Sequence, residues 1–187
     1  MPDRLTRTDD ELMRDAADRN PAAFAGLFER HGRPLHGYLR KLTGNAEAAS
    51  DLTQEAFLIA FRARFDYRPR GLFAGWLYRI ATNLARERIQ QSGREGRVMQ
   101  ELVREKSAEG APAAGPAQSA EASENRLLVE RALARLSIEE REVIVLRHFQ
   151  GMKFREIASA LRENESTVKS RMRYGLEKLA LYLKPVM

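Results

Sequence analysis

The chain has no cysteine, so neither a disulfide framework nor a thiolate metal site is open to it. Its three histidines, His31, His36 and His148, share no ligand spacing. That disfavours a metal centre and leaves each as a surface or interhelical residue. Aromatic side chains supply only 7% of the 187 residues, and helix formers (Ala, Leu, Arg, Glu) dominate, which favours an all-α fold. No apolar run approaches the ~20 residues of a membrane span. The start, "MPDRLTRTDDELMRD", lacks the apolar core of a signal peptide, so a cytoplasmic location and no membrane insertion are expected. There is no Ser/His/Asp set and no phosphate-binding glycine loop, so neither an enzyme nor a cofactor is expected.

What is present is charge. The net charge is +6, unevenly spread. Residues 1–92 hold 15 basic and 12 acidic side chains, residues 93–125 hold 4 and 6, and residues 126–187 hold 13 and 8. Two basic ends around an acidic middle suit a polyanion such as nucleic acid. A soluble, charge-rich helical protein would have the same balance, and charge alone leaves both open.

The clearest boundary is "EGAPAAGPAQSAEASE", residues 109–124, with six Ala, two Pro, two Gly and two Ser. Such a stretch cannot bury enough surface to offset its ordering entropy. It predicts two small helical domains, 1–92 and 124–187, joined by a flexible linker over 93–123, in which 94–108 could still form a polar helix. The first domain reads as four helices. Thr8-Asp9-Asp10-Glu11 is a capping box. Asn20-Pro21 opens a second helix, bent at Gly32 and Pro34. Thr43-Gly44-Asn45 ends it and caps a third, about 46–65. After the loop "YRPRG", Tyr67 to Gly71, a fourth runs over about 72–91. Beyond the linker, a helix spans about 124–135 and Ser137-Ile138-Glu139-Glu140 is a second capping box. Helices over 154–161 and 166–183 complete the chain.

The last two helices have a helix-turn-helix outline. At about 100° per residue, Val168, Met172, Gly175, Leu176 and Leu179 share an apolar face. Ser170, Arg173, Tyr174 and Glu177 point away, with Lys169 and Arg171 on the flanks. A major-groove helix needs an apolar back, a hydrogen-bonding front and basic flanks for the phosphate walls. An amphipathic helix with a solvated basic face has the same spacing.

The stretch "LSIEEREVIVLRHFQGMKFREIASALRENESTVKSRMRYGLEKL" resembles region 4 of bacterial sigma factors of the extracytoplasmic-function (ECF) group. The match rests on Leu136-Ser137, Arg141, Glu156-Ile157-Ala158, Leu161 and Thr167-Val168-Lys169-Ser170-Arg171. The resemblance implies binding of the −35 promoter element and of the flap of RNA polymerase. It implies DNA contacts from Arg147, Thr167, Lys169, Ser170, Arg171, Arg173 and Tyr174. The turn departs from the family: Arg162 and Glu163 stand where a Gly and an apolar residue are usual. Asn164 is expected to take the left-handed conformation instead, and Glu163 to leave the turn looser or more exposed.

The first domain is similar to sigma region 2. The match is Asp51-Leu52-Thr53-Gln54-Glu55-Ala56-Phe57, then Phe73, Trp76-Leu77-Tyr78-Arg79-Ile80-Ala81-Thr82-Asn83, then Arg88. Asp51, Gln54 and Glu55 share one helix face. The resemblance makes that face the docking site for the clamp helices of the largest subunit of core RNA polymerase. Ser50 stands where an acid is frequent, and Glu47 could compensate. The same resemblance places Tyr67 and Asn83 at a pocket for a flipped −10 base, and gives Arg68, Arg70, Arg79, Arg86 and Arg88 the single-stranded backbone. Trp76 reads as core. The implied function is a promoter-specificity subunit whose partners are core RNA polymerase, promoter DNA and an anti-sigma factor. A free-standing helix-turn-helix regulator and a protein-binding helical adaptor are the competing readings. A regulator needs neither the Asp51/Gln54/Glu55 face nor the Tyr67–Asn83 segment.

Overall fold

A computed structural model describes residues 7–18, 20–103 and 128–183, with only the backbone for Pro21 and 93–103. From 104 to 123 the expected linker lies outside the described residues. Those described form helices, turns and loops, with no strand among them.

Helix α1 (Asp9–Ala17) opens with the expected capping box. The Thr8 hydroxyl accepts from the Glu11 amide at 3.3 Å, and the Glu11 carboxylate accepts from the Thr8 amide at 2.7 Å. The helix buries Leu12, Met13 and Ala16. Helix α2 (Pro21–Thr43) runs through Pro34 as one element. It ends where Gly44 turns left-handed, at φ 70°, a conformation that costs Gly nothing. Asn45 then caps α3 (Ala46–Arg62) by accepting from the Ala48 amide at 3.0 Å. Helix α4 (Phe73–Val103) is longer than expected. It continues past 91 because Arg94, Glu95, Arg97, Met99, Gln100 and Glu101 are good helix formers, enough to carry Gly93 and Gly96.

Leu27, Leu35, Leu39, Leu42 and Leu77 are fully buried between these helices, each contributing about 1.5–3 kcal/mol. Tyr38 is buried too, and its hydroxyl shares a 2.7 Å hydrogen bond with Thr82. Of the histidines, His31 bonds Asp9 at 2.8 Å and His36 bonds Ser50 at 3.3 Å, so both link helices.

The second half starts with helix α5 over 128–134. Helix α6 (Ile138–Ile144) follows the second capping box and widens into a π turn, Val145–Phe149. Helices α7 (Phe154–Leu161) and α8 (Glu165–Leu183) form the helix-turn-helix. Val168, Met172 and Gly175 face inward as expected, but Leu176 does not: it is exposed. It borders an apolar groove with Val129, Leu133, Phe149, Leu179 and Leu183. Gly175 has a packing reason. A Cβ there would lie 2.6 Å from Ile144 Cδ1, so its absence lets α8 approach α6.

The turn differs from expectation. Arg162, not Asn164, takes the left-handed conformation, at φ 56°. The chain must reverse at the residue directly after α7, whatever its type, and Arg162 holds that place. Asn164 instead precedes α8, its carbonyl accepting from the Val168 amide at 3.1 Å. Glu163 is tied in rather than loose, bonding Arg171 at 2.9 Å.

The two halves also meet directly, through contacts between side chains far apart in the sequence. Arg86 on α4 makes a two-pronged contact with Glu142 on α6, at 2.7 and 2.5 Å. The Tyr78 hydroxyl donates to Gln150 at 2.6 Å. The Arg141 guanidinium donates to the Leu42 carbonyl at 2.6 Å, and also to the carbonyls of Leu133, Ala134 and Leu136. Lys41 lies over the Phe149 ring, and α4 packs on α7.

Candidate nucleic-acid interface

Helix α3 buries Ala49, Leu52, Thr53, Ala56, Phe57 and Ala60 on one face, which turns positions 51, 54 and 55 outward. Asp51, Gln54 and Glu55 are all exposed. They form the expected polar face, next to an equally exposed Ser50.

The loop after α3 is built on aromatic contacts. A short 3₁₀ turn, Ala63–Phe65, leads into it, and Gly71 turns it left-handed at φ 66° before α4. The Tyr67 ring packs against Phe73 and Trp76, with centroids 5.9 and 5.2 Å away. Trp76 is partly buried in that cluster, mixing its expected core role with a place on a cleft wall. The cleft holds about 540 Å³. Tyr67, Arg68, Arg70 and Arg79 line it from the first half, Met152 and Glu156 from the second. It combines an aromatic wall with guanidinium groups, as a base-and-backbone site requires.

The expected −10 residues are not equally available. Arg68, Arg70 and Asn83 are exposed. Arg79 is half-buried in the cleft, and its pKa is lowered by burial and by the positive charge of Arg162. Arg86 is committed to Glu142, whose hydrogen bond raises its pKa against the opposing effect of burial. Glu142 is fully buried. Burial pushes its carboxyl up, and Arg86 only partly offsets that. Burial, assisted by the hydrogen bond that the Tyr67 hydroxyl donates to the Asp10 carboxylate, also raises that hydroxyl well above its ordinary value.

Helix α8 presents the other basic surface. With Val168, Met172 and Gly175 buried, Lys169, Ser170, Arg173 and Tyr174 are left exposed on one side. Lys169 pairs with Glu165 at 2.7 Å and Arg173 approaches Glu177 at 3.9 Å. Both are surface pairs within one helix, worth about 0.3–0.5 kcal/mol, so either cation can leave for a phosphate or a base. Thr167 is half-buried, and Arg171 is held by Glu163. Arg147 lies beneath the front of α7, donating to the Met152 carbonyl at 2.9 Å and covering the Phe154 ring. The structure thus brings Lys169, Ser170, Arg173 and Tyr174 to one open face. Arg147 and Arg171 act within the domain.

Sequence reasoning passed over Glu142, Gln150 and Asp10. Glu142 carried no readable signal: it ends the charged stretch Glu139-Glu140-Arg141-Glu142, where an acid reads as solvated, yet it is buried beside Val143, Ile144, Val145 and Leu146. Its partner, 56 residues away, carried none either.

Comparison with known proteins agrees with this geometry. Residues 27–95 match the model of Sigma-70 region 2, and residues 126–179 match that of Sigma-70, region 4. The ECF RNA polymerase sigma factor SigE of Mycolicibacterium smegmatis is 35% identical over 159 residues, covering 84% of this chain and 60% of that one. The ECF RNA polymerase sigma factor SigM of Mycobacterium tuberculosis is 32% identical over 180 residues, covering 96% and 87%. Among solved structures, CnrH, determined in complex with the cytosolic domain of CnrY, superposes with a TM-score of 0.70 at 27% identity, over 96% of this chain and 99% of that one. With both regions matched in order and the relatives aligned along most of its length, the chain belongs to the extracytoplasmic-function group of RNA polymerase sigma factors.

Proposed function

We propose that this sigma factor engages core polymerase through Asp51, Gln54 and Glu55. Tyr67, Arg68, Arg70, Arg79 and Asn83 then serve the −10 element, joined by Arg86 only where its pair with Glu142 is broken, and the open face of α8 serves the −35 element. Its role is recognition and strand opening in the cytoplasm, not catalysis. The single observation that carries the reading is the polarity of α8. Val168, Met172 and Gly175 are buried within the domain, which leaves Lys169, Ser170, Arg173 and Tyr174 as the free front. A groove-reading helix requires that division, and a helix of a protein-binding adaptor would keep apolar residues there. The match to region 2 over 27–95 disfavours a free-standing regulator.

Two partners besides DNA fit the remaining surfaces. The apolar groove bordered by Leu133, Phe149, Leu176 and Leu179 suits an apolar segment of the polymerase flap. An inhibitory anti-sigma factor is the second, since a protein of this fold has been seen bound to the cytosolic domain of CnrY. The test is run-off transcription with purified core polymerase and genomic fragments. Specific transcripts that need both proteins are expected. Nanomolar binding of one promoter site by the free chain at physiological salt would overturn the reading in favour of a free-standing regulator.

A further inference from the structure

Helix α1 precedes the segment matched to region 2, yet it touches the loop that faces the cleft. The contact is made by one side chain. Asp10 Oδ1 accepts from the Tyr67 hydroxyl at 2.5 Å, and Asp10 Oδ2 accepts from the Gly71 amide at 2.6 Å. These are the first and last residues of "YRPRG". Both oxygens of one carboxylate therefore pin the two ends of a loop that lies between the 3₁₀ turn and α4. The loop's own cations, Arg68 and Arg70, point elsewhere, exposed on the cleft.

A tether is only as firm as its post, and α1 is well fixed. Asp9, one residue before, is bonded to both Arg30 and His31 of α2. Burial pushes the Asp9 carboxyl up, but the contacts with His31 and Arg30 outweigh it and hold it below its usual range. The capping box fixes the first turn, and Leu12 and Met13 are buried in the core behind it. Asp10 thus projects from a rigid turn. Charge-assisted hydrogen bonds from a fixed acceptor are the means by which a loop is pre-ordered for recognition.

We propose that Asp10 is a positioning residue for −10 recognition: by holding Tyr67 and Gly71 it sets the geometry in which the loop meets the unpaired strand. This rests on the reading of the Tyr67–Gly71 loop as a −10 contact. Asp10 touches no DNA in this role. Its loss leaves the binding groups present but no longer held in one arrangement, so discrimination falls more than overall affinity.

The experiment compares Asp10→Asn, Asp10→Ala and Tyr67→Phe in the full chain, assembled with core polymerase. Transcription is measured on a promoter library randomised at the −10 element with a fixed −35 element. Asp10→Asn keeps the size of the side chain but offers an acceptor to only one of the two donors. Tyr67→Phe removes one bond from the far side without altering α1, so it tests the contact even if Asp10→Ala disturbs the fold. All three are expected to compress the range of activities across −10 sequences by about fivefold to tenfold. Polymerase affinity and dependence on the −35 element should stay unchanged. Combining Asp10→Ala with Tyr67→Phe should do little more than Asp10→Ala alone, because the two share a bond. A uniform loss on every promoter, or an unchanged −10 preference, overturns the proposal. So does tighter binding of a −10 single strand by Asp10→Ala, which would make the carboxylate an internal competitor of phosphate. Asn83→Ala separates the two levels of inference. If it alters −10 preference while the Asp10 variants do not, only the positioning role fails. If neither alters it, the −10 reading of the surface fails and the positioning role falls with it.

Discussion

Replacing Arg86 by Ala should open the molecule. The reason lies in what remains behind. Glu142 is fully buried, and its carboxylate is satisfied by both prongs of the Arg86 guanidinium. Removing one partner of a buried pair costs about 3–5 kcal/mol, because the other charge is left without water or counter-charge. The other interface contacts are smaller. The Tyr78–Gln150 hydrogen bond contributes about 0.5–1.5 kcal/mol, Lys41 over Phe149 about 0.5–1 kcal/mol, and the half-exposed Arg40–Glu130 pair at most about 1 kcal/mol. Parting the halves returns Glu142 to water, so the penalty acts on the closed arrangement rather than on either half alone. At about 1.4 kcal/mol per factor of ten, 3 kcal/mol shifts the closed-to-open ratio roughly 150-fold. Energy transfer between labels on α3 and α8 should report the separation, and helix content should hold. Arg86→Ala combined with Glu142→Gln should regain most of the compactness, since no charge is then buried. The sign of the pH response follows from Glu142. Its folded carboxyl is raised above the unfolded value of 4.5. Its contribution to the closed form is therefore fullest below 4.5 and is lost as pH rises through the folded value. Without Arg86 that value rises further, so acidification should close the Arg86→Ala variant again. An Arg86→Ala protein as compact as the parent at neutral pH would refute the argument.

Asp51→Arg should weaken core-polymerase binding by about 1.5–3 kcal/mol, the size of a charge-assisted contact, with helix content unchanged; a titration showing equal affinity would remove α3 from the docking surface. Lys169→Ala should lower promoter binding by the holoenzyme about equally on all sequences and reduce the salt slope by about 1, if the amine sits on a phosphate. Arg173→Ala should instead relax preference at one base pair by about 1–3 kcal/mol, and an even loss across −35 variants would exclude edge reading. Arg162→Gly should stabilise the chain by about 1 kcal/mol, because it relieves a left-handed non-glycine residue. A thermal melt should show a rise of about 2–4 °C, and a fall would mean that Arg162 makes a contact worth more than the strain.

Local structure was legible wherever a short-range rule decides it. Thr8, Ser137, Gly44 and Asn45 each fix an element boundary through a bond spanning no more than four residues. The inward face of α8 was legible at Val168, Met172 and Gly175, and failed at Leu176, where the core simply ends. The turn was misassigned to Asn164 because residue type was weighed above position. The left-handed site is fixed by where α7 stops, and Arg162 accepts the strain. Asp10 was hidden by its neighbours: an acid in the first turn of a helix is already explained by the macrodipole, so its second role leaves no mark in the pattern. The closed arrangement was illegible for a different reason. Arg86 with Glu142, and Arg141 with the Leu42 carbonyl, join positions 56 and 99 residues apart, and no periodicity links them.

The Arg141 guanidinium has a consequence of its own. It is held by the carbonyls of Leu42, Leu133, Ala134 and Leu136, the ends of α2 and α5, and not by a carboxylate. Mobile ions do little to a cation seated among fixed peptide dipoles, or to a buried pair such as Arg86–Glu142. DNA is the opposite case, since every phosphate contact weakens as counterions accumulate. Ionic strength should therefore act unevenly on this chain: rising salt is expected to weaken its phosphate contacts well before it loosens the contacts that join the two halves.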